Sequence, residues 1–436
     1  MAERAGSIPT ELPSPTPTAL GHLTFTAEQR TRYETLDGQF RAGRRGGDQA
    51  IAFRTLIKVQ ADFDPVRFLT ELMDSRQVLA DTGSALNTGT VDSLALLQAH
   101  LAWDMSPDSR LRIGRMTQNL GGRRLVARNA YRNTINTFTG IDWLWQPDDG
   151  PFTLHAFYLL PVRRLPGDLP SLRDNEIQFD QEDFRQQFWG LRALMTELPF
   201  DSQLELYTYG LHEDPSWRRG RGRKLITHGF RLNRAPAEGR FDFDLESALQ
   251  WGQSRLAAAG PRLEHLAWFG HASVGYTFDA PWKPRLRLAY DHASGDANPS
   301  DGRNQRFDTL FGARRFEYGP TGLYGAIARS NLHSPEVRLT MKPHAKVDFR
   351  LAHRGVWLAS SKDAWTSSGV QDVSGASGHH VGQQVEVSLR WKVIPDRFEL
   401  ETGFAHFFAG DFLKRAPNAT GQGDTSYGYF QTTLRF

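Results

Sequence analysis

The chain has 436 residues, of which 39% are hydrophobic, and it contains no cysteine. No near-continuous apolar run reaches about 20 residues, which excludes a helical membrane protein. The lack of cysteine excludes disulfides, thiolate metal sites and thiol catalysis. Because 52 basic side chains stand against 49 acidic ones, the nearly balanced charge argues against nucleic acid as the main partner.

The N-terminal segment is rich in Pro, Ser and Thr. This composition predicts a flexible lead over residues 1–21, followed by one domain over 22–436. The lead has no apolar segment of the kind found in signal peptides. If the protein is exported, we therefore expect this sequence to be a processed form with an added Met1.

From Leu23 onward, apolar and polar residues alternate in segments separated by turn residues. A period of two predicts β-strands with one apolar and one polar face. The pattern indicates about eighteen strands, most of about 9 to 13 residues, long enough to cross a membrane when tilted. In chain order the clearest segments are 23–34, 51–63, 66–75, 95–103, 110–115, 140–145, 152–162, 186–197, 203–211, 241–251, 266–278, 285–291, 336–342, 346–356, 383–393, 398–408 and 425–436.

Short connections at 64–65, 106–107, 199–201, 343–345 and 395–396 alternate with long ones, of which 294–331 is the longest. This asymmetry predicts an all-β fold: a transmembrane, antiparallel, up-and-down β-barrel with short periplasmic turns and long extracellular loops. Residues 323–330 would add one more strand. We assign them to the long loop because an even strand number places both termini on the periplasmic side.

A soluble β-sandwich, propeller or solenoid is the alternative, since it also has one apolar and one polar strand face. The strands are longer than those usual in soluble sheets, and no repeat of fixed period is present. Tryptophans also recur near the ends of the apolar faces, as in the aromatic girdle of a membrane barrel. These are Trp103, Trp143, Trp145, Trp251, Trp268 and Trp391.

The last predicted strand places Phe430, Thr432, Leu434 and Phe436 on one face, and the chain ends on Phe436. Outer-membrane barrels commonly finish on an amphipathic strand with a terminal aromatic residue. We therefore predict that Phe436 is read by the barrel-insertion machinery and that the protein resides in the outer membrane of a Gram-negative envelope.

Four motifs resemble the alginate export family of outer-membrane barrels: RTRYE at 30–34, ELMDSR at 71–76, GRMTQNLGGRRLVARNAYRNTINTFTG at 114–140 and DHASGDANPSDGRNQRFDTLF at 291–311. They occur in order over most of the chain. The resemblance implies an eighteen-stranded, monomeric barrel with a constricted, cationic lumen. It also implies transport of a polyuronate such as alginate, without identifying the sugar or the direction.

A polyuronate carries one carboxylate per sugar, so its pore needs fixed cations at intervals along the wall. Arginine suits this task because it stays charged and binds carboxylates in a bidentate manner. On the polar strand faces we place Arg30, Arg32, Arg54, Lys58, Arg112, Arg192, Arg231, Arg287, Arg338, Arg350 and Arg390. From the family motif we add Arg115, Arg124, Arg128 and Arg132, on a strand end and an inward-folding loop.

The same arginines have a structural alternative, because ion pairs often hold the inner wall of a barrel together. The candidate lumenal acids are Glu28, Glu34, Asp142, Asp244 and Asp291. For the segment from Arg115 to Arg132 we favour an anion path, because arginines there outnumber nearby acids.

The sequence thus predicts a channel for an anionic polysaccharide, with an uptake porin for small anions or oligosaccharides as the alternative. A lipid-modifying enzyme or a soluble carbohydrate-binding sheet has less support: His265, His271 and Ser273 share a strand but form no paired motif, so no catalytic residue is assigned. No metal or cofactor is assigned either, since Asp296, Asp301 and Asn304 lack calcium-loop spacing and favour an Asx-turn loop. His379 and His380 are expected in a solvated loop, and the basic run 218–224 in a surface loop that contacts lipopolysaccharide.

Overall fold

The computed structural model describes residues 21–148, 150–217, 220–419 and 423–436. Most of the predicted lead, 1–20, and two arginines of the basic run, 218–219, lie outside the described residues. The strands are β1 (His22–Asp37), β2 (Asp48–Phe63), β3 (Val66–Val78), β4 (Asp92–Ser106), β5 (Ser109–Met116), β6 (Phe138–Trp145), β7 (Phe152–Pro161), β8 (Gln186–Leu198), β9 (Ser202–Glu213), β10 (Lys224–Arg234), β11 (Arg240–Ser254), β12 (Leu263–Thr277), β13 (Arg285–Ala293), β14 (Arg303–Asn304), β15 (Leu332–His344), β16 (Val347–Trp357), β17 (His380–Ile394), β18 (Phe398–Ala409) and β19 (Thr425–Arg435).

Eighteen of these strands form a closed barrel in which every strand pairs antiparallel with its neighbours. The barrel closes because β1 pairs with both β2 and β19. The short β14 pairs in parallel beside the long-loop end of β12 and is not part of the wall. The predicted eighteen-stranded barrel is therefore confirmed, although the segments read from the sequence omitted β10.

Among the described residues, helix is confined to three short segments, α1 (Leu169–Arg173), α2 (Arg315–Tyr318) and α3 (Asp411–Arg415), and a single 3₁₀ turn at Pro199–Asp201. In the part of the chain that the structure describes, no helix has the length and apolar character needed to cross a membrane.

Connections at the two ends of the barrel differ in length. At one end, turns such as Asp64-Pro65 between β2 and β3 join strands directly, and the start of β1 and the end of β19 lie there. At the other end, nine longer loops connect the strands: L1 (38–47), L2 (79–91), L3 (117–137), L4 (162–185), L5 (214–223), L6 (255–262), L7 (294–331), L8 (358–379) and L9 (410–424). The predicted asymmetry between short turns and long loops is thus present.

The outer surface of the wall is apolar. Alternate residues of β11, for example, leave Phe241, Leu245, Leu249 and Trp251 exposed, while the residues between them point into the barrel. Exposed aliphatic and aromatic side chains on every strand of a closed barrel would be unfavourable in water but suit lipid. The apolar strand faces therefore form a lipid-facing belt.

Tryptophans mark both edges of this belt. Trp103 and Trp391 are exposed near the short turns, where Trp391 is opposite Val347 at the start of β16. Trp251 and Trp268 are exposed near the long-loop end. Amphipathic indole rings favour the headgroup regions, so their two levels indicate the two interfaces of a membrane.

The long-loop half of the barrel is filled by its own loops. L3 and L7 pair with each other, since the Phe311 N–H donates to the Leu125 carbonyl at 2.9 Å and the Ala313 N–H to the Arg123 carbonyl at 2.9 Å. Val126, Phe307, Tyr324 and Trp365 are buried in the apolar core that these loops and L8 form against the wall. The sequence did not predict this core, because the loops show no strand or helix periodicity.

Candidate conduction path

A cavity of about 790 Å³ occupies the barrel interior toward the short-turn end. Its side walls come from the strands, and its roof is formed by L3, through Asn129 to Tyr131, and by the start of α2. We call this cavity the vestibule. It is lined by five carboxylates, namely Glu28, Glu238, Asp348, Glu399 and Glu401, and by twelve cationic side chains: Arg30, Arg54, Arg123, Arg128, Lys283, Arg285, Arg315, Arg338, Lys342, Arg350, Arg390 and Arg435.

Most of the predicted lumenal arginines form ion pairs with acids of the wall or the loops. This arrangement fits the structural alternative, because a paired guanidinium has fewer donors for a passing solute. The pairs are Arg112–Asp142 at 2.7 Å, Arg115–Glu182 at 2.5 Å, Arg128–Glu71 at 2.7 Å, Arg192–Glu205 at 2.8 Å, Arg231–Asp244 at 2.8 Å, Arg287–Glu336 at 3.2 Å, Arg338–Glu336 at 2.6 Å, Arg350–Glu386 and Arg390–Glu401 at 2.8 Å.

Arg124 anchors L3 at the centre of a buried ion network. Its guanidinium lies 2.9 Å from Asp244, 2.5 Å from Glu246 and 2.6 Å from Glu317. Asp244 and Glu246 belong to β11, whereas Glu317 belongs to α2 in L7. One side chain thus joins the wall, L3 and L7, so Arg124 has a structural position and is not open to solute.

The predicted lumenal acids all lie inside the barrel with cationic or hydrogen-bonding partners. Glu28 accepts from Arg54 at 2.9 Å and Arg435 at 3.0 Å. Glu34 accepts from the Tyr427 hydroxyl at 2.5 Å. Asp291 contacts His271 at 2.7 Å and Arg354 at 2.9 Å, while Asp142 and Asp244 have the partners given above.

A second set of arginines has no carboxylate within ion-pair distance in the described part of the chain. The Arg132 guanidinium donates to the Asn136 side-chain oxygen at 2.5 Å, and the Arg164 guanidinium donates to that oxygen at 3.1 Å and to carbonyls. Arg41 and Arg314 likewise donate to loop carbonyls. Arg41, Arg164 and Arg314 were missed at the sequence level, because nothing in a loop sequence indicates that the loop folds inward.

These cations crowd one another in the loop-filled half of the barrel. Burial lowers the pKa of Arg132 below its ordinary value, and the neighbouring charges of Arg164 and Arg314 lower it further. Arginine does not deprotonate in proteins, so an anion or water would relieve the crowding, as Asp92 and Asp180 already do in part for Arg164. The cluster of Arg132, Arg164 and Arg314 is therefore a candidate anion-binding part of the interior.

Two remaining cations of the predicted set differ from these groups. Lys58 is half-buried on the lumenal face of β2 and has no ion-pair partner among the described residues. Arg30 forms no ion pair within the described ranges either, but it donates to backbone carbonyls of L3, as do Arg32 and Arg54.

A smaller cavity of about 360 Å³ lies at the long-loop end. It is bordered by L2, L3, L4, L5 and L7, and Arg163, Arg164 and Arg221 line it together with Glu213. Arg164 thus lines this outer cavity and also belongs to the crowded arginine cluster. The L3–L7 core separates the outer cavity from the vestibule.

The weaker sequence candidates do not assemble into a site. His265, His271 and Ser273 are buried on the lumenal face of β12, where His265 bonds Gln250 at 3.0 Å and Ser254 at 2.9 Å. They are not on the lipid-facing wall that a lipid-modifying enzyme would use. Among the described residues, no group of three or more His, Asp or Glu side chains has the arrangement of a metal site.

Comparison with solved structures gives the same fold. The chain resembles Pseudomonas aeruginosa OccK8 (OprE), with a TM-score of 0.59 and 14% identity over 95% of this chain and 98% of that one. P. aeruginosa OpdQ gives a TM-score of 0.59 and 13% identity, covering 95% and 97%. P. aeruginosa OpdK, in its structure with vanillate, gives 0.58 and 12%, covering 94% and 99%. At this identity the likeness establishes the fold alone.

No curated protein matches the chain. The family model for alginate export matches residues 22–425, which is nearly the whole chain. Together with the closed barrel, the lipid-facing belt and the fold it shares with outer-membrane proteins, this match assigns a transport channel in the outer membrane, a class that is not enzymatic in general. The chain belongs to the alginate export family.

Proposed function

We propose that the barrel is an anion-selective channel for acidic saccharides, with alginate-like polyuronate as the lead substrate. The observation that carries this proposal is the vestibule, whose lining has twelve cationic side chains and five carboxylates. Arg128, Arg285, Arg338 and Arg350 pair with four further acids, Glu71, Asp242, Glu336 and Glu386, so twelve cations remain in excess over nine acids. A cavity with low-dielectric walls focuses such an excess of one charge and raises the local concentration of the opposite ion. Carboxylates would therefore collect at the short-turn mouth.

The crowded arginines extend this path toward the outer cavity. A uronate that leaves the vestibule would next meet Arg132 on L3 and then Arg164 on the rim of the outer cavity. These guanidinium groups keep donors for a carboxylate, because they are not bound to acidic side chains. Spaced cations let a polyanion bind weakly at several points, which allows it to enter and leave.

The filled long-loop half supports the alternative, a channel for short acidic oligosaccharides or small anions. L3 and L7 are hydrogen-bonded across the interior, so a polymer would pass only if these loops moved apart, whereas a small anion needs a narrower path. OpdK, a barrel of the same fold, was crystallised with vanillate, a small carboxylate. Both substrates would bind to the same cations, and the two proposals differ only in the size of the solute that can pass through the barrel.

Planar bilayer recordings test the proposal. We expect the parent channel to select chloride over sodium and to be blocked by polyuronate. Replacing Arg128 and Arg132 by Gln removes two charges from L3, so the anion preference and the block should both weaken. Arg76→Gln is the matched control, because Arg76 is a half-exposed arginine paired with Asp74 outside the lumen. Unchanged conductance and selectivity in the Arg128→Gln/Arg132→Gln variant would contradict the proposal.

The size of the solute is decided in the same recordings. Current block by polyuronate added at the short-turn side, but not by monomeric uronate or small organic acids, would support polymer transport. Block by monomers and dimers alone would support the oligosaccharide alternative. Neutral dextran of matched length serves as the control, since it has the bulk of a polyuronate without its charge.

A further inference from the structure

Three wall arginines that the sequence assigns to solute binding contact the backbone of L3 instead. Arg30 donates to the Ala130 carbonyl at 2.9 Å, the Tyr131 carbonyl at 3.1 Å and the Arg132 carbonyl at 2.7 Å. Arg54 donates to the first and third of these carbonyls, at 2.6 and 3.1 Å. We infer that Arg30, Arg32 and Arg54 are positioning residues, which hold the turn of L3 so that Arg132 stays in the conduction path. This inference rests on the proposed function.

The pairing of β1 with β2 shows why these carbonyls matter. Arg30 and Arg54 lie directly opposite each other across the two strands, and like charges in that position are destabilising. Both are almost fully buried, which adds to the cost. The Ala130 and Arg132 carbonyls accept from both guanidinium groups, and Glu28 adds a full negative charge 2.9 Å from Arg54. The wall and the loop therefore stabilise each other.

Further contacts fix the same turn of L3. Arg32 donates to the Tyr131 carbonyl, and its guanidinium lies 4.3 Å from the centre of the Tyr131 ring. The Asn133 side chain donates to the carbonyls of Phe53 at 3.0 Å, Arg76 at 3.1 Å and Thr90 at 2.8 Å. Residues 130–133 are thus attached to β1, β2, β3 and L2. Arg132 projects from the middle of this fixed segment, where its orientation follows from its backbone.

The donors of Arg30 are largely used by these contacts. Its two terminal nitrogens make four hydrogen bonds, the fourth to the Asn133 side-chain oxygen at 3.1 Å, out of five donors in the guanidinium group. Only 3% of Arg30 is exposed. Little remains for a solute carboxylate, although the residue borders the vestibule.

Lysine substitution separates positioning from charge. Arg30→Lys combined with Arg54→Lys keeps both positive charges but loses the planar fork that spans several carbonyls. Because hydrogen bonds to charged groups are lost, we expect the population of undocked L3 to rise about tenfold to a hundredfold. Arg132→Gln does the reverse, since it removes a charge and leaves the contacts of Arg30 and Arg54 intact.

A single introduced thiol reports the docking of L3. The chain has no cysteine, so Val126→Cys provides a unique label site, and Val126 is buried against L7 in the docked state. We expect a thiol reagent to modify this cysteine about ten to a hundred times faster when Arg30 and Arg54 are lysines. The matched control is Arg390→Lys, at a vestibule arginine that pairs with Glu401 and lies on β17. It should leave the labelling rate unchanged.

Selectivity recordings complete the test, with heat-modifiable gel migration confirming that every variant forms a barrel. If Arg30 and Arg54 act through Arg132, the double lysine variant loses anion selectivity to the level of Arg132→Gln, and adding Arg132→Gln causes no further loss. Unchanged labelling together with weaker polyuronate block would overturn the inference and make Arg30 and Arg54 solute contacts. A parent channel without anion selectivity would refute the proposed function, while the labelling result would still decide the positioning role.

Discussion

Arginines of similar sequence context have three different kinds of partner in this barrel. Arg128 pairs with Glu71, Arg30 binds loop carbonyls, and Arg132 has no carboxylate partner within ion-pair distance in the described ranges. The electrostatic value of each for an anion differs accordingly, because only an uncompensated charge attracts a solute strongly. The residue type alone therefore does not indicate whether an arginine can attract an anion, because that depends on the partner of its guanidinium group.

Asp180 gives L4 a dependence on pH. Its carboxylate accepts from the Leu165 N–H at 2.9 Å and so joins the two legs of the loop, beside the backbone pair of Arg163 and Gln181. Burial raises the pKa of Asp180 to about 6, although the Leu165 N–H, Arg164 and Arg115 lower it. The ordinary pKa of an aspartate is 3.8. Between about pH 4 and pH 6, Asp180 therefore keeps its proton when L4 is docked and loses it when L4 is undocked. The raised pKa therefore stabilises the docked form of L4, fully below about pH 4, and this stabilisation is lost as the pH rises through about 6.

We therefore expect L4 to be better protected from hydrogen exchange at pH 5 than at pH 7.5, with the largest change at the Leu165 amide. Asp180→Asn keeps an oxygen acceptor but cannot ionise, so its protection should depend less on pH than that of the parent over this range. Asp174→Asn, at an exposed carboxylate of the same loop, is the control and should behave like the parent. Equal pH dependence in the parent and in Asp180→Asn would show that Asp180 is not the titrating group.

At the scale of single strands, the two faces differ in the solvent that they meet. Leu351 of β16 is 41% exposed on the outer face, between Leu339 and Val387. We predict that Leu351→Arg destabilises the barrel by about 2 to 4 kcal/mol, the cost of placing arginine in the lipid-facing belt. The free energy of unfolding in lipid bilayers, measured by denaturant titration, checks this value.

The matched control for this strand prediction is Ser388→Arg. Ser388 pairs with Arg350 on the neighbouring strand but lines the water-accessible vestibule. The same substitution there places two like charges opposite each other, which costs up to about 1 kcal/mol, so it should destabilise the barrel less than Leu351→Arg and act mainly on the conductance. An equal loss of stability at both positions would mean that the outer face does not contact lipid.

The last strand retains one expectation from the sequence. Phe436 is exposed beyond the end of β19, and its backbone pairs with Ala27 of β1 through hydrogen bonds of 2.9 and 3.1 Å. Its recognition by the insertion machinery stays a prediction, as do the monomeric state and a contact with lipopolysaccharide.

At the scale of the whole molecule, the L3–L7 core decides how open the barrel is. Phe311 packs edge-on against Phe138 of the wall, with ring centres 5.2 Å apart, and against Phe188 at 5.0 Å. Phe311→Ala removes this packing and should weaken docking of the two loops by up to about 3 kcal/mol. We expect a higher mean single-channel conductance and more current fluctuation. Phe179→Ala, at a ring that is 81% exposed on L4, is the control, and equal conductance in both variants would contradict a closing role for the core.

The sequence by itself determined the barrel, its strand faces and its family. Alternation with a period of two shows which side chains share a strand face. In a membrane barrel the apolar face contacts lipid, so the same alternation also indicates which face points outward. The motifs at 30–34, 71–76, 114–140 and 291–311 added the family, which the match over 22–425 confirmed.

Only the tertiary structure decided which cations in the described part of the chain have acidic partners and which do not. Ion pairs such as Arg124 with Glu246 and Glu317 join residues far apart in the chain, and their formation depends on strand register and on loops folding inward. A loop has no periodicity from which its direction can be read, so the inward position of Arg41, Arg164 and Arg314 was not visible in the sequence. The electrostatic field inside the barrel is a property of these long-range neighbours, and for that reason it appears only when the chain is folded.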